Sequence, residues 1–212
     1  MKKFTGTGVA LVTPFKADGA IDYPALERVI EHVILGNVDY LVVQGTTGES
    51  ATLSEEEKME VLAFTKKINR SRVPIVYGLG GNNTAALLAA MDTIDFSEIE
   101  GVLSVSPYYN KPSQAGIIAH YEALADKCPV PIILYNVPGR TMSNLSAATT
   151  LKLAQHKNII GIKEASGNLE QCMRIVNSKP DDFLLISGDD MNTTPMRSIG
   201  AEGVISVMAN AY

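Results

Sequence analysis

Residues 22–50 read DYPALERVIEHVILGNVDYLVVQGTTGES, and the way this stretch divides decides the fold. Asp22 is a capping residue, Pro24 fits a first helical turn, and Leu26, Val29, Ile30, Val33 and Ile34 form one stripe that Gly36 ends. A few residues later the helical period is gone. Tyr40-Leu41-Val42-Val43 runs apolar without alternation until it meets a polar turn bounded by glycines. A strand apolar on both faces has to be covered on both faces, as in a parallel sheet whose crossovers are helices.

The same alternation extends in both directions. Short apolar runs at residues 8–13, 40–44, 74–78, 101–105, 131–135, 159–163, 183–187 and 203–207 predict eight strands. Between them lie helical stretches with recognisable starts: a capping box at Ser54-Glu55-Glu56-Glu57, then Asn83-Thr84, Ser113, Ser146, Asn168 and Asn192. No dinucleotide fingerprint opens the first crossover, so a closed (β/α)8 TIM barrel of class α/β is expected rather than an open doubly wound sheet. No linker or composition shift divides it, and residues 1–212 are read as one barrel unit. The stretch ends a few residues after the eighth run, so a barrel without its last covering helix is expected.

Composition narrows the function. With 18 basic and 23 acidic side chains the net charge is −5, and no basic stripe offers phosphates a partner, so a nucleic-acid binder is not expected. Charged residues at 19%, against the roughly 25% usual for soluble domains, fit an oligomer with covered surface. No apolar run suits a signal peptide or a membrane span, and a cytoplasmic protein is expected. Cys128 and Cys172 stand apart without metal-ligand spacing and read as small hydrophobes. His32, His120 and His156 read as surface or cap residues.

Barrels of this kind carry their sites where the strands end, and here the ends are polar. Lys163 closes the apolar run Ile159-Ile160-Gly161-Ile162, where partial burial would lower its pKa and supply the neutral amine for Schiff-base chemistry. Snorkelling to solvent or an ion pair with Glu164 are the plainer readings. Tyr135 ends the preceding run and is expected beside Lys163, as proton relay or as packed ring. Thr46 and Thr47 lie in a turn that can hold a carboxylate or cap the chain. Arg140 follows a Pro-Gly turn and either forks onto a second carboxylate or stands at the surface. The pair Tyr108-Tyr109 can be core, interface or catalytic.

Four of these strand-end loops resemble those of the dihydrodipicolinate synthase and N-acetylneuraminate lyase superfamily of class I aldolases, from about Gly6 onward. They are Gly45-Thr46-Thr47-Gly48-Glu49, Tyr108-Tyr109-Asn110-Lys111-Pro112, Tyr135-Asn136-Val137-Pro138-Gly139-Arg140-Thr141 and Gly161-Ile162-Lys163-Glu164. The two middle loops are similar to the synthase branch in particular. The resemblance implies condensation of pyruvate with L-aspartate 4-semialdehyde, with no metal or organic cofactor. Lys163 would form the imine, and Tyr135, Thr46 and Tyr109 would relay protons, Tyr109 from a neighbouring subunit of a dimer of dimers. Thr47 would bind the pyruvate carboxylate, Arg140 that of the semialdehyde, and the backbone of Gly188 and Ile205 would line the lysine. The alternative within the superfamily is a pyruvate-dependent sugar-acid aldolase or lyase, from which Arg140 separates it.

The resemblance also places a lysine-feedback site at Ser50, Ala51, Glu55, Lys58, Asn82, Ala86 and Tyr108. Sensitive members carry glutamate at the place of Ala86 and histidines at those of Glu55 and Lys58, so weak lysine inhibition is expected. Family chains continue into an eighth barrel helix and a helical extension, which the stretch ending at Tyr212 is expected to lack.

Overall fold

The computed structural model describes residues 2–212; Met1, the first residue of the barrel unit read from the sequence, lies outside them. Eight strands close into a barrel: β1 (Gly6–Ala10), β2 (Tyr40–Val43), β3 (Ile75–Gly78), β4 (Gly101–Val105), β5 (Ile132–Asn136), β6 (Ile159–Glu164), β7 (Leu184–Ser187) and β8 (Gly203–Ser206). Each pairs in parallel with its sequence neighbours, and β8 pairs back onto β1.

The helices that cover it are α1 (Tyr23–Leu35), α2 (Glu55–Asn69), α3 (Thr84–Ala90), α4 (Gln114–Lys127), α5 (Pro138–Thr141), α6 (Ala147–Leu153), α7 (Leu169–Ser178) and α8 (Thr193–Ser198). Asp22 caps α1 by accepting from the Ala25 amide, and Leu26, Ile30 and Val33 are its buried stripe. Burying each of these side chains stabilises the fold by roughly 1.5–3 kcal/mol relative to leaving it exposed. The capping box of α2 has both of its hydrogen bonds, and Asn83, Ser113, Ser146 and Asn168 cap as their positions suggest.

The core has two shells. Tyr40, Val42, Val76, Leu103, Ile133, Ile186 and Ile205 fill the barrel, while the helices pack on the outward-facing residues of the strands. Phe4 closes the amino end by an edge contact with Tyr40, ring centroids 5.5 Å apart. After β8 a single turn, Met208–Asn210, folds back on β1, where the Asn210 amide donates to the Ala10 carbonyl at 2.8 Å and accepts from the Val12 amide.

Four readings from the sequence need correction. The first strand begins at Gly6 and ends at Ala10 instead of spanning residues 8–13, because Asn210 takes the Val12 amide and Pro14 follows. Asn192 makes no cap bond; its amide donates to Asp189, whose carboxylate also holds the Met191 amide. His120 is buried against Thr84 instead of at the surface, and burial holds its imidazole at a pKa of about 4. The Pro-Gly turn before Arg140 is a full helical turn, α5. Both cysteines are buried and free, as expected of small hydrophobes.

Candidate functional site

The carboxyl end of the barrel brings Lys163 and Tyr135 together through a shift in register. Along the β5–β6 ladder Ile132 pairs with Ile159, but Ile133 pairs with Gly161, so one residue of β6 is extra. Ile160 packs toward the barrel interior and Ile162 toward the helices, a break in alternation that places the bulge at Ile160–Gly161, with Ile160 the residue left without a partner on β5. A Cβ on Gly161 would lie 2.8 Å from Leu184, so only glycine fits there. The consequence reaches the strand end: Tyr135 faces Lys163, where an unshifted ladder would set it against Ile162.

Lys163 is 4% exposed, and its ammonium nitrogen stands 4.4 Å from the centre of the Tyr135 ring. Burial lowers its pKa to about 8; the charge of Asp190 works against the fall and that of Arg140 adds to it. The neutral amine is therefore a minor but usable form near neutral pH, far more populated than in an ordinary lysine. Glu164 takes no part as an ion-pair partner, since its carboxylate is hydrogen-bonded to Asn136 and to Gln171 on the helix side of the sheet. Burial also raises the Tyr135 phenol, while Arg140 and a hydrogen bond with Thr46 pull it back.

Thr46 and Thr47 stand in a short turn, Thr46–Gly48, after β2. Thr13 donates to the Gly48 carbonyl at 2.7 Å and fixes that turn to the loop after β1. Arg140 sits exposed in α5 and its charge reaches both Lys163 and Tyr135. Gly188 lies against the lysine stem: a Cβ there would meet Lys163 Cγ at 3.0 Å and Cε at 3.1 Å. Ile205 is buried among the interior side chains below. Tyr109 is not gathered into this group; it is 84% exposed, on a loop where its own backbone and that of Lys111 are left-handed.

A cavity of about 630 Å³ runs from the mouth toward the groove between α2 and α3, lined among others by Thr46, Tyr135, Ser50, Glu55, Lys58 and Ala86. Lys58 is ion-paired with Glu55 at 2.7 Å. Ala51, Asn82 and Tyr108 do not line this cavity, although the Asn82 amide donates to the Tyr108 carbonyl.

Two residues escaped the sequence reading. Gln44, left-handed at the end of β2, turns a buried amide with no hydrogen-bond partner among the described residues into the lining of this cavity. Asp190 sits where its charge reaches Lys163; burial raises its carboxyl, but bonds from Ser206 and the Val207 and Met208 amides, together with Lys163, hold it below the ordinary range. The acidic pair after Gly188 was its only signal in the sequence.

The model of the dihydrodipicolinate synthetase family matches residues 3–212. A 4-hydroxy-tetrahydrodipicolinate synthase from Cytophaga hutchinsonii is 53% identical over 212 residues, covering 100% of this chain and 71% of the relative. The enzyme of the same name from Flavobacterium psychrophilum is 55% identical, covering 100% and 73%. A crystal structure of a dihydrodipicolinate synthase from Bacillus anthracis superposes with a TM-score of 0.95 at 38% identity, covering 99% of this chain and 72% of that one.

Proposed function

We propose, from the premise that the chain belongs to the dihydrodipicolinate synthetase family, a residue-by-residue account of how it condenses pyruvate with L-aspartate 4-semialdehyde to 4-hydroxy-tetrahydrodipicolinate. The observation that carries it is the buried, weakly basic Lys163 amine held over Tyr135.

The neutral amine of Lys163 adds to the ketone carbon of pyruvate, and loss of water gives an imine. The imine takes up a proton, and the resulting iminium draws electrons from the neighbouring methyl group, which gives up a proton and leaves an enamine. The enamine carbon attacks the aldehyde of the semialdehyde, forming the new carbon–carbon bond and an alkoxide that takes a proton. The amine of the second substrate next attacks the imine carbon, closes the ring and releases Lys163 as a free amine. Tyr135 and Thr46, within hydrogen-bond reach of each other, carry protons to and from these intermediates. Thr47 and the amides of the Thr46–Gly48 turn hold the pyruvate carboxylate. Gly188 leaves room for the lysine stem, and the backbone of Ile205 lines it from below.

Arg140, beside the mouth, takes the semialdehyde carboxylate in a bidentate pair, and this contact favours the semialdehyde over a sugar acid. Tyr109, exposed on its loop, completes the relay in the site of a second copy of the chain. The 1–212 unit works as a homo-oligomer in the cytoplasm, and no described helix is long and apolar enough to cross a membrane. The test is turnover of pyruvate with the semialdehyde against N-acetylneuraminate cleavage, before and after Arg140→Ala. The expected result is semialdehyde condensation only, with the variant's KM rising much more for the semialdehyde than for pyruvate. Equal changes for both substrates would contradict the role of Arg140.

A further inference from the structure

Because the β5–β6 ladder slips by one residue at its amino end, ladder hydrogen bonds alone do not dictate that Tyr135 meets Lys163. Just beyond that pair the next register partners, Asn136 and Glu164, face the helices and are joined by side chain as well as backbone. Glu164 is 1% exposed and carries a carboxylate with no ion-pair partner among the described residues. Its Oε1 accepts from the Ser166 amide at 2.7 Å and the Asn136 amide nitrogen at 3.1 Å, and its Oε2 accepts from Asn136 at 2.9 Å and Gln171 at 2.9 Å.

Every group facing Glu164 in this set is a donor, so a carboxylate suits it and an amide does not. The set extends outward. Asn136 Nδ2 also donates to Asn144 Oδ1, its Oδ1 accepts from the Leu145 amide, and Asn144 Nδ2 donates to Gln171 Oε1. One connected set of polar side chains thereby ties the ends of β5 and β6, the first turn of α7 and the chain that returns from α5.

We infer that Glu164 and Asn136 are positioning residues, a buried clamp that locks the shifted register and thereby aims the Lys163 amine at its substrate beside Tyr135. This rests on Lys163 being the reacting amine. Neither residue reaches the mouth, and Glu164 is not among the charges that move the Lys163 pKa.

Glu164→Gln sets an amide nitrogen against a donor at one of its two oxygen positions. The expected result is borohydride trapping of pyruvate that still reaches one per chain but proceeds about 10²-fold more slowly, the scale for a small misplacement of a reacting group. The pH at which trapping is half-maximal stays where it was. Combining Glu164→Gln with Gln171→Glu moves the carboxylate one partner along: the amide introduced at position 164 would keep the Ser166 and Asn136 donors on its oxygen and donate to the new carboxylate, which still accepts from Asn144, so that of the two donors facing the amide nitrogen only Asn136 remains. This double variant should recover part of the lost rate.

A merely structural role would instead lower the number of sites trapped and leave the rate per site unchanged, and that outcome overturns the clamp. So does an undiminished rate in Glu164→Gln, or a double variant no faster than the single. Hydrogen exchange of the Ala165 amide, which donates to the Asn136 carbonyl at 2.8 Å, reports the register without any pyruvate. It should speed up in Glu164→Gln and slow again in the double variant. Unchanged exchange overturns the clamp even if the amine proves to react otherwise, whereas failure of the unaltered chain to trap pyruvate would count against the imine reading and not against the clamp.

Discussion

The two ends of this barrel are built from the same strands and made for opposite purposes. At the amino end, Gly8 and Gly203 bring backbone and ring so close that a Cβ would collide with Tyr40 and with the Gly6 carbonyl, and Phe4 seals the interior against Tyr40. At the carboxyl end the interior opens instead onto Lys163, Tyr135 and Thr46, with an amine buried where its charge is unfavourable. The difference is that truncation at the amino end should change stability, while truncation at the mouth should change chemistry.

The largest expected effect is at the mouth: Lys163→Ala should remove condensation turnover altogether while the circular dichroism spectrum stays that of the unaltered chain. Tyr135→Phe and Thr46→Val should keep imine formation but lose roughly 10²–10⁴-fold in kcat, the range of a lost proton relay. Full turnover in Tyr135→Phe, measured by the same assay, would break the assignment. At the opposite end Phe4→Ala should cost about 3–5 kcal/mol of unfolding free energy in a urea titration, with kcat per folded chain little changed.

Much of this contrast can be read in the sequence. Tyr40 to Val43 is apolar on both faces and then stops at a polar turn, which marks both a barrel strand and the end that bears chemistry. Asp22, Ser54 and Asn83 cap as their types suggest because capping is a local property of a few residues. The shifted register at Gly161 is not local. Gly161 sits so close to Leu184, one strand away, that a Cβ would not fit, and the shift is seen only in the pairing with β5, so Lys163 and Tyr135 read as neighbours while the device that aligns them did not show. The same holds for His120, whose partner Thr84 is far along the chain, and for Glu164, which by adjacency alone looked like a partner for Lys163. Strand alternation sends it to the other face.

The buried amine gives the comparison a pH signature. With its pKa lowered from 10.5 to about 8, Lys163 is mostly protonated and unreactive below that pH and mostly neutral above it. The rate of imine formation should therefore rise with pH and level off above about 8. Asp190 raises the value, so Asp190→Asn should move the rising limb to lower pH, as read from trapping rates across a pH series. A limb that moves upward would contradict the placement of that charge. The smallest effect is expected from lysine: Ala86 cannot pair with an α-ammonium, and Lys58, paired with Glu55, adds a like charge to the same cavity. Half-inhibition should lie at least tenfold above that of a lysine-sensitive homologue assayed alongside.

The most direct test of the central claim is to reduce the chain with borohydride in the presence of pyruvate and locate the added mass by peptide mapping. The account predicts one adduct per chain, on Lys163 and no other lysine, forming faster as the pH approaches 8. An adduct elsewhere, or none while condensation still turns over, would contradict it.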